Sequence, residues 1–248
     1  MSEQFFGAGD VYIDRFDDNG NSTGLIHILS TQSFSLKSSG EQKQLKSRSP
    51  SNYGQVIASV ALPGASELKI THNEFDAENM AMAFLGDTAA YSQEAGTLTT
   101  KEVVIKKVGN WFPIGFRDIS KEGIAVVDEL DAALAEGTDF EINYAAGLIR
   151  ALSGGSVQDG DLVKVSGTYT AVSGTKIYGA TKPIIKGAVH FEGINLSNGK
   201  KCVADVWRTT LQPDSEVNFL SDDFGEISLS GSPEVVTGKT STFEIIYI

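Results

Sequence analysis

Chemistry in this chain would have to start from its histidines, its cysteine and its paired carboxylates. His27, His72 and His190 each fall in or beside a stretch that reads as strand, and none has a second His or a Cys at the spacing of a zinc site. Cys202 is the one cysteine, so an internal disulfide is excluded; its alternating apolar surroundings make it a small core residue. Gly20-Asn21-Ser22-Thr23-Gly24 has the G-x-S-x-G spacing, but it lies in a turn between two short strands and not on the strand-to-helix turn that makes a nucleophile elbow. Gly7-Ala8-Gly9 lacks the preceding strand and the third glycine of a dinucleotide loop. Asp17-Asp18-Asn19-Gly20-Asn21 opens like a calcium loop, but the glycine comes too early and Ile28 stands where a bidentate Glu is required. A hairpin turn is what those residues specify. Asp222-Asp223 sits in a turn too, and Trp111 and Trp207 suit a core better than a sugar platform. No catalytic residue, metal ligand or cofactor motif is assigned, and the chain reads as a non-enzyme.

The composition narrows the class further. Among 248 residues, 41% are hydrophobic, enough to fill a core, and 26 glycines against 6 prolines suit many short strands and tight turns. Lys and Arg number 20 against 32 Asp and Glu, a net charge of −12, which argues against a nucleic-acid binder or a protein docked on anionic membrane. No apolar run approaches the ~20 residues of a membrane-spanning helix. Neither a basic leader nor a signal-peptide apolar run opens the sequence, so a protein made and kept in the cytoplasm, or exported only within a larger particle, is expected.

The elements that must carry function are strands. The stretch from Gln32 to Gly86 organises the rest: a strand over 32–37, a polar loop over 38–53, strands over 54–62 and 67–73, and a short helix over 77–85 with Asp76 as N-cap and Gly86 just beyond its end. In the first strand Phe34 and Leu36 point one way; in the third segment Val56 and Val60 share an apolar face. The opposite polar set, Ser33, Ser35, Gln55 and Ser59, is expected on one solvent-facing side. The loop SSGEQKQLKSRSPSNY has only Leu45 and Tyr53 to anchor it. A loop of that length inside a compact domain is functional or disordered. It carries Lys43, Lys46 and Arg48 against Glu41, with Lys37 just before it, on an otherwise acidic chain. That composition fits an arm that orders only against another subunit.

Around this stretch, residues 1–9 read as an arm bearing Phe5 and Phe6, followed by strands over 10–16 and 25–29. A strand over 97–108 precedes a change of texture: short apolar pieces, a short helix over 128–136, a hairpin over 139–152 and a strand over 161–170. Residues 109–173 are therefore expected to be an inserted peripheral β unit, with 1–108 and 174–248 forming one discontinuous body. The fold class is all-β, a sandwich or barrel with one short flanking helix.

Three segments resemble the major tail (tail tube) protein of long-tailed bacteriophages: the strand, polar loop and strand over 32–62 with SELKITHNEFDAENMAMAFLGD; KEVVIKKVGNWFPIG with GTDFEINYAAGLIRAL and DLVKVSGTYTA; and GAVHFEGINLSNGKKCVADVWRTTLQPDSEVNFLSDDFGEISLSGS onward. The resemblance covers most of the chain and rests on texture rather than on an invariant motif. It implies a β-sandwich with one flanking helix that assembles into stacked, usually hexameric rings. The resulting tube lies in the virion tail, is made from subunits produced in the host cytoplasm, and conducts DNA without gripping it. It implies that Lys37, Glu41, Lys43, Lys46, Arg48 and Tyr53 lie on an inter-ring loop, and that tape-measure, terminator and distal tail proteins are partners. Ser33, Ser35, Gln55 and Ser59 are then candidates for the lumen face, since small hydroxyls offer no cation to phosphate. A monomeric β-sandwich binding or adhesion module is the competing reading.

Overall fold

A computed structural model describes residues 6–248; Phe5, in the expected terminal arm, lies outside the described residues. Among the described residues the chain is all-β, with sixteen strands and one helix. It divides into two compact units, residues 1–88 with 177–248, and residues 89–176.

The first unit contains β1 (Gly7–Arg15), β2 (Ile26–Ile28), β3 (Thr31–Lys46), β4 (Val56–His72) and helix α1 (Ala77–Ala83), and later β13 (Ile185–Asn195), β14 (Lys201–Pro213), β15 (Ile227–Pro233) and β16 (Phe243–Tyr247). They form one antiparallel sheet in the order β2-β1-β13-β14-β15-β4-β3, with β16 also paired to β14. Alternation does the sorting: Val11 and Ile13, Leu68 and Ile70, Val189, Val206 and Leu211, and Ile227 and Leu229 all point into one core. The sheet curls over that core, since Phe34 of β3 stacks on Phe191 of β13 with centroids 5.1 Å apart although three strands separate β3 from β13 in the sheet order. Residues 7–9, expected in an arm, are the start of β1 and pair with β13.

Helix α1 closes one side with Met82 and Ala83. Asp76 caps it, its Oδ1 accepting from the Asn79 amide at 2.7 Å. The left-handed residue after the helix is Leu85 (φ 49°), not Gly86. Gly86 is needed for a different reason: a Cβ there would lie 2.1 Å from the Tyr178 carbonyl oxygen.

The second unit holds most of β5 (Asp87–Gln93), then β6 (Gly96–Val104), β7 (Phe112–Pro113), β8 (Ala125–Val127), β9 (Phe140–Asn143), β10 (Leu148–Ala151), β11 (Leu162–Tyr169) and most of β12 (Val172–Tyr178). Two three-stranded sheets, β7-β10-β9 and β6-β11-β8, enclose their own core around Ile105, Ile114, Ile149, Val163 and Val165. The strand expected over 97–108 as part of the main body is β6 and pairs with β11, so it belongs to this second unit, whose bounds are wider than 109–173. The expected helix over 128–136 is absent. Asp128 Oδ1 instead accepts from the amides of Leu130 and Ala132 at 2.9 and 2.8 Å, Asp131 adopts φ 65°, and Leu134 bonds back to Val126. A short polar side chain bonding its own backbone competes directly with a helical turn.

The largest correction concerns the expected loop. Residues 38–46 are not a loop: they continue β3, which runs 16 residues beside the 17 of β4, and the two separately expected segments of β4 are one strand. Among the described residues no helix is long and apolar enough to cross a membrane.

Candidate interaction surface

The β3–β4 pair is a hairpin with two different halves. At its base, Phe34 and Leu36 pack on the core beside Leu68 and Ile70. Beyond Ser38 the two strands leave the body of the unit. From Lys37 to Leu62 only Ser47, in the turn, is buried. The outer half is therefore held by its ladder alone, with Glu41 opposite Leu62, Lys43 opposite Val60 and Leu45 opposite Ala58. A register shift between Ser38 and Gly40 marks the change, one residue of β3 facing two of β4. Gly64 sits at that bulge, where a Cβ would come within 2.5 Å of Ser39 Oγ.

The turn is tightly tied. Ser47 N donates to Gln55 O at 2.7 Å, Gly54 N to Ser47 O at 2.8 Å, and Ser47 Oγ to Asn52 Oδ1 at 2.5 Å, with Gly54 at φ 82°. The expectation that this segment lacks order in a single chain is thus corrected. It is a closed, hydrogen-bonded arm whose side chains have nothing of their own to pack against.

Directly opposed residues of a ladder share a side. One side of the arm carries Leu45, Ala58, Val60 and Leu62 with Glu41 and Lys43; the other carries Gln42, Gln44, Ser59 and Ala61. Leu45 is 62% exposed and Val60 58%. The arm is amphipathic, and its apolar side is in water. Val56 and Val60, expected in the core with Phe34 and Leu36, are both on the exposed arm.

The predicted site residues fall as follows. Lys37 pairs across the ladder with Glu67, Nζ to Oε2 3.1 Å, and Lys43 lies 3.9 Å from Glu41. Lys46 and Arg48 form no ion pair among the described residues, and Tyr53 is exposed at the tip. So Glu41, Lys43 and Lys46 are on the arm and Arg48 and Tyr53 in its turn, while Lys37 is at the base. The proposed polar face does not exist as one face. Ser33 and Ser35 share a side with Thr71 and Lys69 at the base; Gln55 is in the turn; Ser59 pairs with Gln44, on the side of β3 that continues from Leu36. The bulge at Gly64 exchanges the two sides of β4, which simple alternation along the sequence could not register. The exposed apolar stripe was missed. Its signal was the strict fit of QKQLK against the 58–62 stretch around a Pro50, Asn52 and Gly54 turn.

The titratable residues elsewhere gather differently. On the outer side of the sheet, directly opposed positions place His27, Tyr12, His190, Asp205 and Glu244 in one row across five strands. His190 Nδ1 and Asp205 Oδ1 are 2.6 Å apart, His27 Nε2 and Asp10 Oδ1 3.2 Å, and Tyr12 stacks on His27. No hydroxyl or thiol bonds the histidines of this row among the described residues, which is what nucleophilic catalysis would need. His72 is wholly buried, and among the described residues neither ring nitrogen is within hydrogen-bond geometry of a partner; burial pushes its pKa below the ordinary value. Asp17 is held low by hydrogen bonds from Asn21 and Asn19, as a turn-forming aspartate. Among the described residues no three His, Cys, Asp or Glu side chains come together to hold a metal.

Residues 4–242 match the model of a family described as Protein of unknown function UCP028589, and the chain belongs to that family. No curated protein matches the chain.

Proposed function

We propose that this protein is a structural subunit that assembles with copies of itself into stacked rings, and that the rings form a tube of the kind found in the tails of long-tailed bacteriophages. The observation that carries the reading is the arm: two paired strands, amphipathic, leaving the body with their apolar side uncovered. An unburied apolar stripe on an isolated hairpin is an aggregation liability unless a partner covers it. β3 is also the last strand of its sheet, so its outer backbone edge is open for pairing. A subunit that presents both an edge and an arm is built to be completed by neighbours. The net charge of −12 repels phosphate, which suits a conduit for DNA better than a DNA-binding surface. Hexameric rings, a place in the virion tail, and tape-measure, terminator and distal tail proteins as partners follow from the resemblance and belong to the same proposal.

Sedimentation velocity over a wide concentration range tests it. The proposal expects large, concentration-dependent species that disappear when residues 40–63 are replaced by a short turn. A protein that remains monomeric throughout favours the binding-module reading.

A further inference from the structure

We infer that the arm of one copy docks on the loop over residues 214–226 of the next copy. This inference rests on the self-assembly proposed above and names the surface that receives the arm.

That loop joins β14 to β15 and carries the most exposed large apolar side chains among the described residues of its unit. Leu220 is 94% exposed and Phe224 92%. The loop has a fixed seat: Phe219 stacks on Phe84 at the end of α1, centroids 6.2 Å apart, and Gly225 lies against the Phe75 ring. Leu220 and Phe224 are thus presented from a supported base and left uncovered by the described residues. The same loop holds Asp214, Glu216, Asp222, Asp223 and Glu226 and no Lys or Arg. Asp214 is paired with Lys69 at 2.5 Å; the other four form no ion pair among the described residues.

Position along the strands decides the occupant. Ile227, the first residue of β15, pairs with His72, the last of β4, so the loop is at that end of the sheet. The arm's turn is at the other end of β4, 17 residues away. At ~3.3 Å per residue this is roughly 55 Å, so the tip cannot reach the loop of its own chain. The arm's turn and the loop lie level with opposite ends of β4, which makes the contact heterologous: the arm of one copy meets the loop of the next, and the step repeats. The chemistry is complementary on both counts. Leu45 and Val60 meet Leu220 and Phe224 as the apolar anchor, and Lys43, Lys46 and Arg48 meet Asp222, Asp223 and Glu226 around it.

Carbodiimide cross-linking of assembled wild-type protein, mixed from isotopically light and heavy copies, should join Lys43 or Lys46 to Asp222 or Asp223 in light–heavy pairs. The charge-reversed arm K43E/K46E/R48E and the charge-reversed loop D222K/D223K should each raise the concentration needed for assembly by about tenfold or more, and the chain carrying both sets should recover it. Wild-type assembly with cross-links elsewhere, or with D222K/D223K assembling normally, overturns the docking while leaving self-assembly standing. A wild-type protein that never assembles overturns both. If the loop variant fails to fold by circular dichroism, the wild-type cross-link map alone decides.

Discussion

Lys43 and Val60 stand directly opposite each other in the β3–β4 ladder, and both are exposed. A cation beside an uncovered branched aliphatic is a poor arrangement for a free surface and a good one for an interface, where the apolar group is buried and the charge selects the partner.

Replacing Leu45 and Val60 together by Ser should therefore separate stability from assembly. Neither side chain contributes to a core, so the unfolding free energy of the monomer should move by no more than about 0.5 kcal/mol, read by chemical denaturation. Assembly should weaken strongly in the same preparation. A large loss of monomer stability would show that the arm packs on its own body.

The cationic set gives a second, ionic handle. Lys43, Lys46 and Arg48 changed to Ser should leave the circular dichroism spectrum unaltered and weaken association most at low salt. The wild-type protein should lose affinity as salt rises, because exposed pairs are screened within about 8 Å at physiological ionic strength. Light scattering across a salt series should show the triple variant with a flatter dependence.

Gly86 tests the fold rather than the interface. Its approach to the Tyr178 carbonyl leaves no room for a methyl group. Gly86→Ala should cost about 1–3 kcal/mol in chemical denaturation. Gly199→Ala, where open space surrounds the Cβ position, should show only the smaller strain of its positive φ.

His72 sets a pH dependence. Burial disfavours the charged form in the native state and lowers its pKa from 6.5, while the unfolded chain titrates at the ordinary value. The unfolded state then binds a proton more readily than the native state, so this residue's effect is absent well above pH 6.5 and stability declines as the pH falls below it. The steepest slope one such group can give is about 1.4 kcal/mol per pH unit. Denaturation of wild-type and His72→Leu protein from pH 7.5 to 5 should diverge in that direction, the variant being the flatter of the two.

The parts of the structure that alternate apolar and polar residues were legible in the sequence. The all-β class, the strands around Val11, Leu68 and Val189, and α1 with its Asp76 cap follow from burial periodicity and cap chemistry. The arm reads as a loop in the sequence because SSGEQKQLK has almost no apolar alternation: both of its sides face water, so burial leaves no mark, and only backbone pairing with β4 makes it a strand. The region around Asp128 misled in the opposite sense. Leu130, Ala133 and Leu134 imitate a helical stripe, yet Leu130 is among the most exposed residues and Asp128 ties the backbone into a turn. The bulge at Gly64 is a register event between two strands and has no signature in either strand alone.

Electron microscopy of the purified, concentrated protein tests the central claim most directly. Rings, and rings stacked into tubes of uniform diameter, are the predicted result. Fields of separate single-subunit particles at every concentration and salt condition would contradict it.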